Sequence, residues 1–405
     1  MPSTTANPYA SVRLLAYCHE GTGIGHLRRT LTICAGIAQR WPGASILLVT
    51  GTPFLHLFEP LPYLDWVKLP AISKSSTGNY SLRQLASHAG ITQWRSDILI
   101  ETVRGFNPTM VLVDKAPLGV CGELKPALQW LRENRPAARL VCGLRDIEDE
   151  PETTIAQWQK LGVPDAIEQL FDEALVYGMK EVFDLATQYR LSPAVSRKLH
   201  YTGYVCRKQK PRASSARAGG LMREEVVVTV GGGTDGSELI QNYLADAVHR
   251  AAAMGSRSVI VGGPDLPRRD NENLRRQSKA AGAKWLEFDS SLQNRLGRAR
   301  LIVTMGGYNT MTESVASGRP TLVIPRTTPR KEQWMRAQFW ARRGLVSTLA
   351  PAEASPARLA DTVVDLLLSP PKSQRQPLDL DGLDRVVDRL THLAQEQTHA
   401  TVVRV

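Results

Sequence analysis

Short apolar runs that stop at glycine or at a polar loop recur along this chain in two series, and that recurrence restricts the fold more than anything else in it. In the first series, residues 12–18 lead into a glycine loop, and residues 46–50, 110–114, 140–144 and 174–177 follow. In the second, residues 225–230 are almost pure valine and stop at Gly231-Gly232-Gly233. Residues 258–261 then stop at Gly262-Gly263, residues 301–305 at Gly306-Gly307, and residues 321–324 at Pro325. Continuous apolar runs, rather than alternating ones, mark strands buried on both faces, and helical patterns between them mark a parallel sheet covered by helices. Two series imply two α/β domains, which 405 residues with 42% hydrophobic content can supply with separate cores. Residues 207–220, rich in Lys, Arg, Ser, Ala and Gly, read as an exposed linker. The expected division is 1–206, a linker at 207–220, and 221–405 with an amphipathic closing helix at 383–397. Each domain is expected to be doubly wound and Rossmann-like, the two facing across a cleft, with ligands at the carboxyl ends of the strands.

Composition narrows the partners. The net charge of +11 favours anionic ligands, and the Lys and Arg are densest at 207–217 and 323–343. No zinc-finger spacing or RNA-recognition signature accompanies the charge, so nucleic acid is not an expected partner. Five scattered cysteines, Cys18, Cys34, Cys121, Cys142 and Cys206, argue for reduced core residues over a disulfide framework or a zinc site. Residues 1–10 lack the pattern of a signal peptide, and no run approaches the ~20 apolar residues that span a bilayer. A cytoplasmic location is expected, with peripheral contact at the inner face of a membrane as its only link to lipid.

Residues 301–337 hold the most specific pattern. A buried strand runs into Gly306-Gly307, after which Asn309 or Thr310 is placed to cap a helix carrying Glu313. Glycines let a phosphate approach the backbone, and free N–H groups with the positive end of the helix dipole hold it. Glu313, about a turn inside, can accept hydrogen bonds from a ribose diol. The plainer reading makes the glycines a tight turn and Glu313 a solvated helix residue.

The whole string resembles the nucleotide-sugar signature of GT-B glycosyltransferases, both the C-terminal motif of the MurG-like lipid-linked N-acetylglucosaminyltransferases and the plant-type G-x-N-S/T-x-x-E core. Gly307, Asn309, Thr310 and Glu313 match that core, Gly318, Pro320 and Pro325 match the positions that follow, and Gln333 and Ala337 match the end of the MurG-like motif. The resemblance implies that Glu313 binds the ribose, that Gly306, Gly307, Tyr308, Asn309 and Thr310 bind the diphosphate, and that Glu332 and Gln333 meet sugar hydroxyls. It also implies that Gly231, Gly232, Gly233 and Thr234 form a companion loop facing diphosphate and sugar, and that Phe288 and Asp289 flank a uracil. Met305 departs from the pattern, since relatives carry histidine or arginine there; Arg326, Arg330 or Arg295 is the expected substitute charge.

In the first domain, residues 17–30 follow the first strand and open a helix. Gly21, Gly23 and Gly25 make a permissive loop, and His26 stands at the helix start, where a general base can work near neutral pH. A lone histidine there is more often a cap or a surface group. The loop resembles the G-x-G-G-H loop of MurG-like enzymes and the G-x-G-H-x-x-R loop of related nucleotide-sugar hydrolases, in which the histidine faces the anomeric centre. G-I-G-H-L-R-R, K-A-P-x-G and G-G-Y-N-T together are most similar to a bacterial group of predicted glycosyltransferases. Asp146 is the expected partner that orients His26 or meets an acceptor, and Glu148, Asp149 and Glu150 read as a solvated acidic loop rather than a metal site.

The expected activity is inverting, metal-independent transfer of a sugar from a nucleotide diphosphate sugar, UDP-linked by resemblance, to an unidentified acceptor hydroxyl. No cofactor is expected, and the basic charge suits an anionic or lipid-linked acceptor. A nucleotide-sugar hydrolase using the same site, or a non-catalytic nucleotide-sugar binder, remain as alternatives.

Overall fold

The computed structural model describes residues 9, 11–19, 23–74, 80–83, 90–207, 224–369 and 376–402. The expected linker therefore lies, apart from Arg207, outside the described residues, as does Gly21. The chain forms two units: Met1–Thr22, His26–Val205 and Asp379–Val405 make the first, and Gly23–Gly25 and Cys206–Leu378 the second.

The first unit is built on β1 (Arg13–Cys18), β2 (Ser45–Thr50), β3 (Leu64–Lys68), a small pair β4 (Ile72–Lys74) and β5 (Tyr80–Leu82), then β6 (Met110–Asp114), β7 (Arg139–Arg145), β8 (Glu173–Tyr177) and β9 (Leu199–Tyr201). Seven of these form one sheet in the order β3-β2-β1-β6-β7-β8-β9, and every pairing in it is parallel. β4 and β5 pair antiparallel apart from it. The chain runs outward from β1 to β3, then returns to β1's other side at β6, so the sheet reverses direction between β1 and β6. In a doubly wound fold that reversal opens a crevice at the strand ends, and ligands settle there. The register puts Cys18 opposite Asp114 as the last pair of β1 and β6.

The second unit repeats the plan with β10 (Glu225–Thr229), β11 (Arg257–Val261), β12 (Lys284–Leu286), β13 (Ala299–Thr304), β14 (Thr321–Val323) and β15 (Ser347–Thr348). The order is β12-β11-β10-β13-β14-β15, again all parallel. The reversal falls between β10 and β13, whose last pair is Thr229 and Thr304. Successive side chains of β10 serve opposite faces: Val226 and Val228 pack with Ile240, Tyr243 and Leu359, whereas Val227 packs with Leu292, Leu296 and Ile302. This is why the strand reads as unbroken valine: both faces are covered. The structure is two parallel-sheet α/β units, as the strand runs predict.

The closing helix departs from expectation. Gly382–Val402 was assigned by sequence to the second domain, but it belongs to the first unit. Val386, Val387, Leu390, Leu393 and Ala394 are buried along one stripe, the spacing of an amphipathic helix face. That stripe lies on the helix Gly25–Arg40. A Cβ placed on Gly36 would sit 3.0 Å from Val387 Cγ2 and 3.1 Å from Leu383 Cδ1, so glycine there permits the close approach. Trp41 Nε1 donates to Thr391 Oγ1 at 2.9 Å, and Arg389 Nε donates to Glu173 Oε2 at 2.7 Å. Among the described residues no helix is long and apolar enough to cross a membrane. All five cysteines are free thiols, four of them buried.

Leu390 is fully buried in this seam. Leu390→Ala is expected to destabilise the first unit by about 2–5 kcal/mol through lost burial and the cavity left behind. Urea unfolding followed by tryptophan fluorescence checks it; an unchanged midpoint would place the helix elsewhere.

Candidate active site

The two sheet reversals place the sequence-predicted residues. In the first unit, β1 ends at Cys18 beside the end of β6 at Asp114. His26 is the second residue of the helix Gly25–Arg40, and Gly23 takes a positive φ of 74° on the way into it. His26 Nδ1 lies 2.7 Å from Asp114 Oδ2. Arg29, one turn along the same helix face, donates from Nε to Asp114 Oδ1 at 3.0 Å. Its Nη2 reaches both carboxylate oxygens at 2.8 Å and stacks the guanidinium 5.0 Å from the centroid of the Tyr177 ring. Arg29 and Asp114 are each 1% exposed in their side chains, while His26 keeps 14%. Nδ1 has two neighbours, the Asp114 carboxylate and Arg29 Nη2 at 2.9 Å; the carboxylate, the closer of the two, favours the tautomer with the proton on Nδ1 and the lone pair on Nε2.

Burial lowers the His26 pKa well below its ordinary value, and the charges of Lys115, Arg29 and Arg145 lower it further, against Glu148. The imidazole is therefore neutral at pH 7 and able to take a proton. The His19 ring lies 4.9 Å from that of His26. It too is held well below its ordinary pKa by burial first, then by His26 and Lys115. Lys115 follows Asp114 directly at a positive φ of 68°, and its N–H donates to Gly143 O at 2.7 Å. A non-glycine residue in that region costs energy and clusters at functional sites.

Two expectations need correction here. The carboxylate that meets His26 is Asp114, not Asp146. Asp146 follows β7, which β6 separates from β1, and it packs against Gly178, where a Cβ would come within 2.6 Å of its own Cβ. The acidic run is not solvated either: Glu148 is 4% and Asp149 5% exposed. Glu148 Oε2 meets Arg145 at 3.1 Å and Lys115 at 3.8 Å, so its charge is answered by cations from two strand ends. Arg29 and Asp114 were missed as partners of His26. The signal for Arg29 was present, since it is three residues on along a helix; that for Asp114 was not, since only the strand order sets it beside β1.

In the second unit, Gly231 and Gly233 take positive φ values of 68° and 100°. A Cβ on Gly233 would meet Gly262 O at 2.6 Å, and one on Gly263 would meet Gly232 C at 2.5 Å. The two glycine loops thus pack backbone on backbone. Thr234 Oγ1 donates to Asp265 Oδ2 at 3.0 Å, tying the loops further. At the neighbouring strand end Gly306 has φ 90°, and a Cβ there would press on Val323 Cγ1 at 3.0 Å. The helix Tyr308–Ala316 follows, with Gly307 as its N-cap and no capping side chain. The sequence reading expected Asn309 or Thr310 to cap it, and neither does; they lie inside its first turn, where the backbone N–H groups have no acceptor within the helix. A Cβ on Gly231 would stand 3.8 Å from Thr310 Oγ1, so the two predicted phosphate loops are neighbours. Glu313 is 6% exposed, which removes the reading of a solvated helix residue.

Other predicted residues are committed to internal contacts. Glu332 Oε1 accepts from Arg326 Nη2 at 2.9 Å. The Gln333 amide donates to Met305 O at 2.6 Å and accepts from Arg326 Nε at 3.2 Å. Arg336, 1% exposed, donates to Gly306 O at 3.2 Å. Asp289 accepts from Ser291 N and Oγ and from Arg295 Nε, while Phe288 precedes it, partly buried, after β12.

Gly307 differs from its neighbours. Its φ of −60° suits any residue, and a Cβ built on it meets nothing within 4 Å. Gly307→Val should therefore leave the fold and its melting temperature unchanged. If a diphosphate rests on this turn, the same substitution should abolish UDP binding, read by calorimetry; retained affinity would mean that the turn carries no ligand.

Comparison with known proteins agrees with this layout. Residues 227–385 match the Glycosyltransferase family 28 C-terminal domain. The UDP-N-acetylglucosamine--N-acetylmuramyl-(pentapeptide) pyrophosphoryl-undecaprenol N-acetylglucosamine transferase of Rhodopseudomonas palustris is 23% identical over 321 residues, covering 73% of this chain and 81% of that protein. Among solved structures, MurG of Acinetobacter baumannii aligns over 94% of this chain and 99% of its own, with a TM-score of 0.55 at 14% identity. A UDP-N-acetylglucosamine 2-epimerase described as putative, from Listeria monocytogenes, aligns over 95% and 97% with a TM-score of 0.61 at 13% identity. Those two structures speak for the fold; the matched domain and the enzyme relative speak for the class. The chain is a glycosyltransferase of the GT-B fold, and its residues 227–385 match the family 28 C-terminal domain.

Proposed function

We propose that this chain transfers a sugar, with inversion, from a UDP-linked donor to an acceptor hydroxyl, and that His26 is the general base. The observation that carries the reading is the His26–Asp114 hydrogen bond of 2.7 Å at the first sheet reversal. Nε2 of the neutral imidazole takes the acceptor proton as the acceptor oxygen bonds to the anomeric carbon. The bond from that carbon to the diphosphate oxygen breaks, and UDP leaves with the electron pair. The second unit supports the donor: Gly306, Gly307 and the uncapped start of Tyr308–Ala316 receive the diphosphate where charge develops, and Glu313 receives the ribose. No metal is required in this scheme, because backbone N–H groups and arginine answer the leaving charge.

The relative from Rhodopseudomonas palustris is named for N-acetylglucosamine transfer to a pyrophosphoryl-undecaprenol acceptor. UDP-N-acetylglucosamine is accordingly the first donor to try, and a lipid-linked anionic hydroxyl compound the first acceptor, in line with the +11 charge. Such an acceptor would bring the enzyme to a membrane face.

The decisive measurement is UDP release from a panel of UDP-sugars, with and without candidate acceptors. His26→Ala should cut turnover by about 10²–10⁴-fold while donor affinity holds, the usual contribution of a general base. Asp114→Asn should impair turnover strongly by loosening the ring and its tautomer, and Asp146→Asn should not. Near-normal turnover in His26→Ala would end the scheme. Rapid UDP release without any acceptor would favour the hydrolase.

The pH profile gives an independent check. Protonation of His26 abolishes the base, so activity is lost as pH falls through its pKa. Because that pKa lies well below 6.5, the acid limb of kcat/KM should lie below pH 6.5. Lys115 is the largest electrostatic cause of the depression after burial. Lys115→Met should therefore move the acid limb to higher pH; a limb that stays in place, or moves down, would assign it to another group.

A further inference from the structure

Met305 is apolar and buried to 8% exposure, so the position before Gly306 supplies no charge to a diphosphate. Of the three arginines that the sequence offers in its place, Arg295 is bound to Glu225 at 2.8 Å and Asp289 at 2.6 Å. Glu225 is the first residue of β10, at the amino end of the sheet, whereas both glycine loops leave its carboxyl end. Arg326 is placed otherwise. It follows β14, and its Nη1 meets Asp235 Oδ2 at 2.5 Å. Asp235 belongs to the loop that follows β10.

β10 and β14 are the two neighbours of β13. The Arg326–Asp235 pair therefore spans the carboxyl end of β13, where Gly306 and Gly307 turn into the helix Tyr308–Ala316. The guanidinium is oriented from behind by Glu332 Oε1 on Nη2 at 2.9 Å and by the Gln333 amide on Nε at 3.2 Å. Glu332 is 2% exposed, but Asp235 is 40% and Arg326 26% exposed in their side chains. The buried partner holds the arginine in place, and the exposed one is exchangeable, since a solvent-exposed ion pair contributes little.

We propose that Arg326 is the cation that binds the donor diphosphate in this chain, and that Asp235 holds it over the glycine turn until the diphosphate takes the aspartate's place. A diphosphate carries two negative charges against the carboxylate's one, and offers the guanidinium a pair of oxygens as the carboxylate does, so the exchange runs toward the ligand. Glu332 and Gln333 act as positioning residues for Arg326 in both states. The inference rests on the reading of the second unit as the UDP-sugar site, and it names the group that selects a diphosphate over an uncharged nucleoside.

Calorimetry on the full chain with UDP and with uridine tests it. Arg326→Gln should weaken UDP by about 10- to 100-fold, the range for charge-assisted hydrogen bonds, and leave uridine within twofold. Arg326→Lys, which keeps the charge without the fork, should fall between. Asp235→Asn removes a competitor and should tighten UDP by about two- to fivefold, with no effect on uridine. UDP affinity unchanged in Arg326→Gln, or UDP and uridine weakened alike, would overturn the assignment. If Arg326→Gln does not fold, Asp235→Asn still decides: unchanged or weaker UDP binding would overturn the exchange. Wild-type protein that binds neither UDP nor uridine would instead refute the donor site itself, a result separable from these.

Discussion

A carboxylate at 1% exposure survives in a protein interior only if its charge is met, and Arg29 meets Asp114 through three hydrogen bonds from two nitrogens. Breaking such a buried pair on one side leaves an uncompensated charge and costs several kcal/mol, on the order of 3–5. That cost ties the helix Gly25–Arg40 to the end of β6. It also fixes where His26 stands, because His26 and Arg29 share one face of that helix and one carboxylate. Removing Asp114 would therefore disturb both the imidazole and the arginine that shapes its surroundings. The cations near His26 have a second effect: they add to burial in keeping the imidazole neutral.

The second unit reaches a comparable result with backbone rather than side chains. Its reversal between β10 and β13 brings Gly231–Gly233 next to Gly306 and Gly307, and the glycines are required for different reasons. Gly233 and Gly263 have positive φ and no room for a Cβ, and Gly306 has positive φ with a Cβ held to 3.0 Å from Val323 Cγ1. Gly307 has neither constraint, so its lack of a side chain follows from no internal requirement of the fold. Two side chains of one helix then hold the turn: Arg336 holds the Gly306 carbonyl, while Gln333 holds that of Met305. The residues after Pro325 thus support the loop before it, although in sequence they read only as a basic stretch.

How much was legible follows from the range of each interaction. The strand runs were readable because burial on both faces leaves nearly pure apolar segments, and the glycine loops because at Gly233, Gly263 and Gly306 φ and close approach both favour glycine. The partner of His26 was not readable from spacing, because Asp114 and Asp146 both end apolar strands; only the strand order separates them. The closing helix was misassigned for the same reason. Its apolar stripe announces that it packs, but a stripe carries no address, and the matching surface on the helix Gly25–Arg40 lies far off in sequence. Glu148 and Asp149 looked solvated because a run of acids usually is. They are buried because Arg145 and Lys115 converge on Glu148 from adjacent strand ends.

The same fold carries different reactions. The GT-B frame aligns with a transferase and with a protein described as an epimerase at comparable TM-scores, so the frame alone selects neither. What a two-sheet α/β scaffold supplies is a pair of crevices at fixed places. Chemistry is then decided by the side chains at those places. An imidazole with its Nδ1 fixed by a carboxylate can take a proton from a hydroxyl; an uncapped helix start beside two glycine loops can receive a departing diphosphate. Transfer to a hydroxyl asks for those two abilities and little else from the protein, since the donor carries its own leaving group. On the proposed reading, discrimination between an acceptor and water falls to the loops after the strands of the first unit. That is where Lys115, Arg145 and Glu148 form a charged cluster whose field reaches His26.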